Sequence, residues 1–318
     1  MDAFLKLLME NKAFSNEIKK KEKLNEQNVF TKKSSAKPKA DVKKYKKLTE
    51  ADEEEADTTF GDVDDIPLSG DTEQDFNKVV DFLKSQSYHD LGDALKDIVD
   101  DPKLYNLLAS GFGDGELAKV KMSNSTVGLP VQSLFPTQSE IGLDNSLKFP
   151  LKSDCSKYFS DSAITIVAPI ITYRKTYVID GHHRWSQLYM INPDAKISAI
   201  NFNYEDSNPY RALRNMQGAI AVANKDVPSQ DSKVYNLYDM DENQIKDYIE
   251  KNIQDVCTDS LIKQGVAKDK EGVIDYITKN ALELKNRNTP FKNAPERTDM
   301  PQTDEKSIEV AKKGMTNI

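Results

Sequence analysis

The chain has 318 residues, of which 38% are apolar and 30% charged, and its formal net charge is -8. No stretch approaches the about 20 consecutive apolar residues of a membrane-spanning helix, so an integral helical membrane protein is excluded. The acidic balance also excludes a uniformly basic nucleic-acid coat, while leaving room for a local basic arm.

The apolar share lies below the roughly 45–50% usual for globular chains. One or two modest cores are therefore expected, beside a substantial unfolded fraction. Residues 1–14 (MDAFLKLLMENKAF) carry Asp2, Lys6 and Glu10 among few apolar residues. They lack the basic and long apolar regions of a secretory signal, so a cytoplasmic protein is expected, without a membrane partner. Residues 3–14 fit a short helix with Phe4, Leu7 and Leu8 on one face. Residues 19–47 hold 12 lysines against 3 acids, and residues 50–65 hold 9 acids and no base. With few apolar residues to offset ordering entropy, residues 1–70 read as a disordered tail, basic and then acidic. The functional alternative is a basic arm for DNA or an acidic partner, restrained by the acidic block.

Order is expected from Asp71. In residues 71–87 an Asp71 or Thr72 cap precedes Phe76, Val79, Val80 and Leu83 at helical spacing. Residues 91–98 and 104–110 continue a helical segment that spans 71–126. The glycine-rich run 111–116 (GFGDGE) follows a helical piece rather than a strand, so it reads as a connector and only weakly as a phosphate loop.

Residues 127–225 change character. LPVQSLF (129–135) alternates like a strand and stops at Pro136. AITIVAPIITY (163–173) is β-branched and apolar, residues 173–176 turn the chain, and TYVID (176–180) re-enters as a strand. A helix over WSQLYMI (185–191), a strand over KISAINFNY (196–204) and a helix over residues 208–223 follow, the last with Asn208 as cap and Pro209 in its first turn. Residues 234–285 are helical again, with Asp241 as a cap and apolar spacing at Ile245, Ile249, Val273 and Ile277. Residues 286–318 return to tail composition. The expected fold class is α+β: a small α/β core flanked by helices.

Residues 180–185 (DGHHRW) hold two of the three histidines and the single tryptophan. They follow a strand and open a helix, whose first turn offers unpaired N–H groups and partial positive charge to an anion. Gly181 permits φ > 0 or close backbone approach. Arg184 can fork onto two phosphate oxygens. A histidine can donate to phosphate or move a proton. Asp180 can orient a histidine, hold Mg²⁺ or act as a base. The bland alternative is a structural strand-to-helix turn, with Trp185 packing the helix.

This loop resembles the phosphate-binding loop of the ParB/sulfiredoxin-like superfamily. Sulfiredoxins carry a Gly-Cys-His-Arg version and bind ATP; ParB proteins carry Gly-Glu-Arg-Arg and bind CTP. Free-serine kinases and ParB-like nucleases form the branch nearest to an Asp-Gly-His-His-Arg loop. Residues 129–140 also resemble that family's opening strand and Pro-containing turn. The resemblance covers roughly residues 127–205. It implies ATP, ADP or CTP as cofactor, with Mg²⁺ at Asp180, and nucleotide contacts from Thr137, Gln138, Gly181, His182, His183 and Arg184. It also implies a catalytic set of Asp180, His182, His183 and Glu140. His182 stands where sulfiredoxins have their cysteine, which removes thiol chemistry; the ParB box is absent, which argues against a CTP-gated clamp. The lysine-rich tail and small module are similar in flavour to bacteriophage proteins, in the host cytoplasm or the virion.

Three readings follow: a nucleotide-binding protein that hydrolyses NTP or transfers phosphoryl, a nuclease acting on DNA, and a non-catalytic virion-associated binding protein. Residues 129–225 hold 10 basic and 8 acidic residues, so the module is less acidic than the chain, as a phosphate site prefers. Walker, Gly-x-Ser-x-Gly and His-Glu-x-x-His motifs are absent. Cys155 and Cys257 have no metal spacing and read as buried thiols of a reducing compartment. Arg211 and Arg214 share a helix face, either solvated or reaching the site. Glu205 or Asp206 could supply a further carboxylate, and Tyr235, Tyr238 and Tyr248 read as packing.

Overall fold

The computed structural model describes residues 62–112, 117, 123–160, 167–203, 209–225, 235–287, 294–300 and 302–313. The basic block, most of the acidic block, the short helix of residues 3–14, the cap Asn208 and the carboxylates Glu205 and Asp206 lie outside the described residues. Among the described residues no helix is long and apolar enough to cross a membrane.

The fold begins earlier than Asp71. Val63 and Ile66 are buried in the first core. Asp75, itself buried, accepts hydrogen bonds from Ser69 N (2.7 Å), Ser69 Oγ (2.8 Å) and Gly70 N (2.8 Å), which fixes the approach to the first helix. These bonds hold its carboxyl below the usual range, Ser69 N–H first. Helix α1 (Thr72–Ser85) starts on Asp71, whose side chain accepts from Gln74 N, and buries Phe76, Val79, Val80 and Leu83, as the spacing predicts. Helix α2 (Tyr88–Asp100) is capped by Ser87. Helix α3 (Pro102–Phe112) runs through Gly111 rather than stopping before it. The reason is contact: a Cβ on Gly111 would stand 2.1 Å from Phe76 Cζ, so only glycine lets α1 and α3 close up there.

Strand β1 (Ser123–Pro130) takes in residues expected to be helical, and it ends at Pro130. Residues Val131–Ser133 form one 3-10 turn, and β2 is only Phe135–Pro136. The alternation of residues 129–135 is thus split between two strands at opposite edges of one sheet. Val131 N–H donates to Ala195 O (3.0 Å) where the chain leaves β1, and prolines at 130 and 136 mark the ends of both pieces, as suits a residue without an N–H.

Short helix α4 (Leu143–Leu147) precedes β3 (Ile170–Tyr173), β4 (Tyr177–Asp180), α5 (His182–Ile191), β5 (Lys196–Asn203) and α6 (Pro209–Asn224). The five strands lie in the order β1-β5-β3-β4-β2. The pairs β1/β5 and β3/β4 are antiparallel, and β3/β5 and β2/β4 are parallel. The β3–β4 hairpin turns through residues 174–176, with Arg174 and Lys175 both at positive φ (53° and 56°). Asn201 Oδ1 accepts Lys175 N–H at 2.5 Å and holds that turn.

The sheet separates two cores. Ile171, Tyr173, Tyr177, Ile179 and Phe202 face α1, α2, α3 and α6. Ile170, Val178, Ile197 and Ala199 face α5 and three further helices, α7 (Glu242–Asn252), α8 (Asp255–Lys263) and α9 (Lys270–Arg287). Helix α7 has the expected Asp241 cap, made into a reciprocal box by Gln244. The architecture is α+β, a mixed five-stranded sheet between helical layers.

The C-terminal segment read as a tail belongs to the fold. Its helix α10 (Glu305–Lys313) packs on α6, burying Ser307 and Ala311, and Gln217 Nε2 donates to Asp299 O at 2.8 Å. Its composition is polar because most of its surface is solvated. Arg214, read as solvated or site-directed, instead caps the end of α1: Nη1 donates to Leu83 O (2.7 Å) and the guanidinium lies over the Tyr88 ring. Tyr235 stays 64% exposed rather than packed.

Candidate functional site

Three segments meet where β4 gives way to α5. Gly181 is the N-cap of α5 with φ 91° and ψ 28°. A Cβ there would come within 2.6 Å of Ile170 Cγ2 and 2.9 Å of Arg184 Nη2, so both the dihedral and the space demand glycine. The first intrahelical bond is Trp185 N–H to Gly181 O (3.0 Å), and no side chain caps the turn before it. The N–H groups of His182, His183 and Arg184 therefore precede the helical ladder and carry its positive pole.

The two histidines are latches between this turn and residues 137–142. His182, buried, accepts Thr137 N–H on Nε2 at 3.1 Å. His183 accepts Gly142 N–H on Nε2 at 3.2 Å. A backbone N–H can only donate, so both Nε2 atoms are unprotonated and each neutral ring carries its proton on Nδ1. Burial, then the neighbouring His183, Arg297 and Arg184, push the pKa of His182 well below the ordinary 6.5. Burial and Arg297 push His183 down to about 4, with Asp144 opposing. The next residues serve the same anchoring. Ser186 and Ser146 share a 2.7 Å hydroxyl contact, and Trp185 Nε1 donates to Val131 O at 2.9 Å in the second core. Trp185 thus packs the helix, as expected.

A cleft of about 290 Å³ opens at this turn, lined by Gln138, Asp180, Gly181, His182, His183, Arg184, Arg297, Gln302 and Thr303. Six of these nine are residues singled out from sequence. Arg184 folds along one wall: Nη2 donates to Asp180 Oδ2 (2.7 Å) and Nη1 to Pro169 O (2.9 Å). Thr137 and Glu140 are not among the lining residues. Thr137 is fully buried, with its hydroxyl donating to Val178 O at 2.6 Å. Glu140 turns to the C-terminal segment and accepts Arg297 N–H on Oε2 at 3.0 Å. Beside it Ser139 donates through N (2.9 Å) and Oγ (3.1 Å) to Pro295 O. These bonds lay residues 295–297 across the cleft and bring Arg297 into it.

Arg297, Gln302 and Thr303 were missed by sequence reasoning. They sit in a Pro- and Thr-rich stretch with no apolar period, and only their long-range partners reveal them. Among the described residues Asp180 is the sole carboxylate on the lining, and it already shares an oxygen with Arg184. Among the described residues no group of three or more His, Cys, Asp or Glu is gathered to hold a metal ion. A protein-built metal cage does not fit these residues.

No family model, no curated protein and no solved structure matches the chain.

Proposed function

We propose that the cleft at the start of α5 binds the phosphate groups of a nucleotide. One observation carries this reading: an uncapped helical first turn and two arginines, Arg184 and Arg297, converge on a single polar cleft. Unpaired N–H groups and guanidinium forks are the donors an anion needs, and neither can act as an acceptor. The resemblance of residues 180–184 to the ParB/sulfiredoxin-like loop supports a nucleotide as the source of that anion. A volume of about 290 Å³ lies at the small end of ligand pockets, which begin near about 300 Å³. The phosphates enter and the nucleoside stays at the mouth, so ATP, ADP and CTP bind with similar strength.

Binding is favoured over turnover. Both Nε2 atoms are occupied by backbone N–H groups, which leaves the histidines as Nδ1 donors rather than bases. Glu140 clamps the C-terminal segment instead of facing the cleft. Among the described residues Asp180 is the one lining carboxylate left for proton transfer in hydrolysis or phosphoryl transfer, and it acts only when Arg184 releases it for phosphate.

The test is calorimetric titration of the full chain with ATP, ADP and CTP, with and without Mg²⁺, on the wild type and on Arg297→Ala. Losing one charged hydrogen-bond partner is expected to weaken binding by about 10-fold or more. Unchanged affinity in Arg297→Ala, or no heat with any nucleotide, overturns the reading. Plasmid nicking in a parallel incubation would replace it with the nuclease reading. Salt-sensitive DNA binding without nucleotide binding would replace it with the non-catalytic one.

A further inference from the structure

The second core holds a pair of nucleophilic groups that the cleft does not use. Cys155 and Cys257 are 102 residues apart in sequence, both fully buried, with their sulfurs 3.1 Å apart. That separation is about 1 Å longer than a disulfide bond of about 2.05 Å. The two sulfurs belong to different elements. Cys155 lies in the segment that leads from α4 towards β3, and Cys257 lies on α8.

The surrounding backbone is already clamped. Cys155 N–H donates to Ser260 Oγ at 2.9 Å, and Gln254 N–H donates to Leu151 O at 2.8 Å. The same segment is tied to α5, because Asn192 Nδ2 donates to Tyr158 O at 2.8 Å. Side-chain rotation alone has to close the remaining gap between the sulfurs.

We propose that Cys155 and Cys257 are a redox-modification site, a dithiol that hydrogen peroxide closes to a disulfide, covalently joining α8 to the segment around Cys155. In the first step one sulfur, as thiolate, attacks the peroxide; the O–O bond breaks, an S–O bond forms, and the released oxygen leaves as water. The second sulfur then displaces the sulfenic oxygen: the S–S bond forms, the S–O bond breaks, and a second water leaves. Two electrons pass from the thiols to the peroxide, and both thiol hydrogens end in water. The hydrogen bond shared with Cys257, together with burial, raises the pKa of the Cys155 thiol. The reaction therefore needs transient opening and accelerates with rising pH. Once closed, the bond spans a long loop and restricts the unfolded chain.

The test uses the full chain, reduced and then exposed to hydrogen peroxide, denatured and alkylated with iodoacetamide. The expected product is lighter by two hydrogens, takes no alkyl group, and yields a peptide pair joining Cys155 to Cys257 that dithiothreitol separates. Its melting temperature rises by several degrees over the reduced form. The double variant Cys155→Ala/Cys257→Ala should show neither change. Two alkylatable thiols after peroxide, sulfinic or sulfonic acid on the separate cysteines, or a disulfide between two chains would each overturn the proposal. Should the double variant fail to fold, the mass and peptide map of the wild type decide alone.

Discussion

Acidifying the protein should destabilise it over a window set by the two histidine latches, between the ordinary imidazole value and the lowered value of His183. His183 is held near about 4 in the folded state against an ordinary 6.5. Its Nε2 faces Gly142 N–H, so a proton added there would set two donors against each other. Between these values the unfolded chain binds more protons than the folded one. Stability from this group is therefore complete above the unfolded pKa and is lost as pH falls towards the folded one. Integrated from about pH 7 to about pH 4.5, His183 alone accounts for a loss of about 2 kcal/mol. His182, shifted in the same direction by burial, adds to it. Asp75 works in a lower window, because its shift acts only below its unfolded value of 3.8. The assay is urea unfolding followed by circular dichroism at a series of pH values, on the wild type and on His183→Gln. Glutamine keeps an acceptor for Gly142 N–H but takes up no proton. The slope of stability against pH should shrink by about 2 kcal/mol over the window in the variant. An unchanged slope, or stability that rises on acidification, would refute the latch geometry.

Three further outcomes are expected. Gly181→Ala puts a Cβ into the left-handed region and 2.6 Å from Ile170 Cγ2; the cost should reach about 1–3 kcal/mol, read as a lowered urea midpoint, and a neutral variant would mean the turn has another shape. Trp185→Phe removes the Nε1 donor to Val131 O (2.9 Å) and leaves that carbonyl only the longer bond from Leu134 N–H (3.3 Å); the loss should be about 1 kcal/mol beyond the change in packing, measured by thermal unfolding. Glu140→Gln replaces the carboxylate that receives Arg297 N–H at 3.0 Å; limited proteolysis should cut the segment after α9 faster while the global melting temperature moves little, and equal cutting rates would show that the carboxylate is not the clamp.

Much of the local structure was legible in the sequence. The Asp71 cap and the spacing of Phe76, Val79, Val80 and Leu83 give α1, and Asp241 gives the start of α7. The strand, turn and helix around Gly181 follow from β-branched residues, glycine and a polar opening turn. Of the site, the residues of that one turn were found, since all lie within a few positions of each other. Gln138 was reached only through the family resemblance.

Capping, helical periodicity and turn chemistry act over about four residues, so the sequence alone determined those elements. Which polar atom meets which was decided only by the tertiary structure, because these partners lie far apart along the chain. The latches join residues 45 and 41 positions apart, and the Glu140 clamp spans 157. Burial of the His182 and His183 rings and the packing of residues 294–300 and 302–313 beside the cleft depend on such contacts. Each pairs a donor with an acceptor that only packing brings together, a requirement the folded chain imposes and no short stretch of residues encodes.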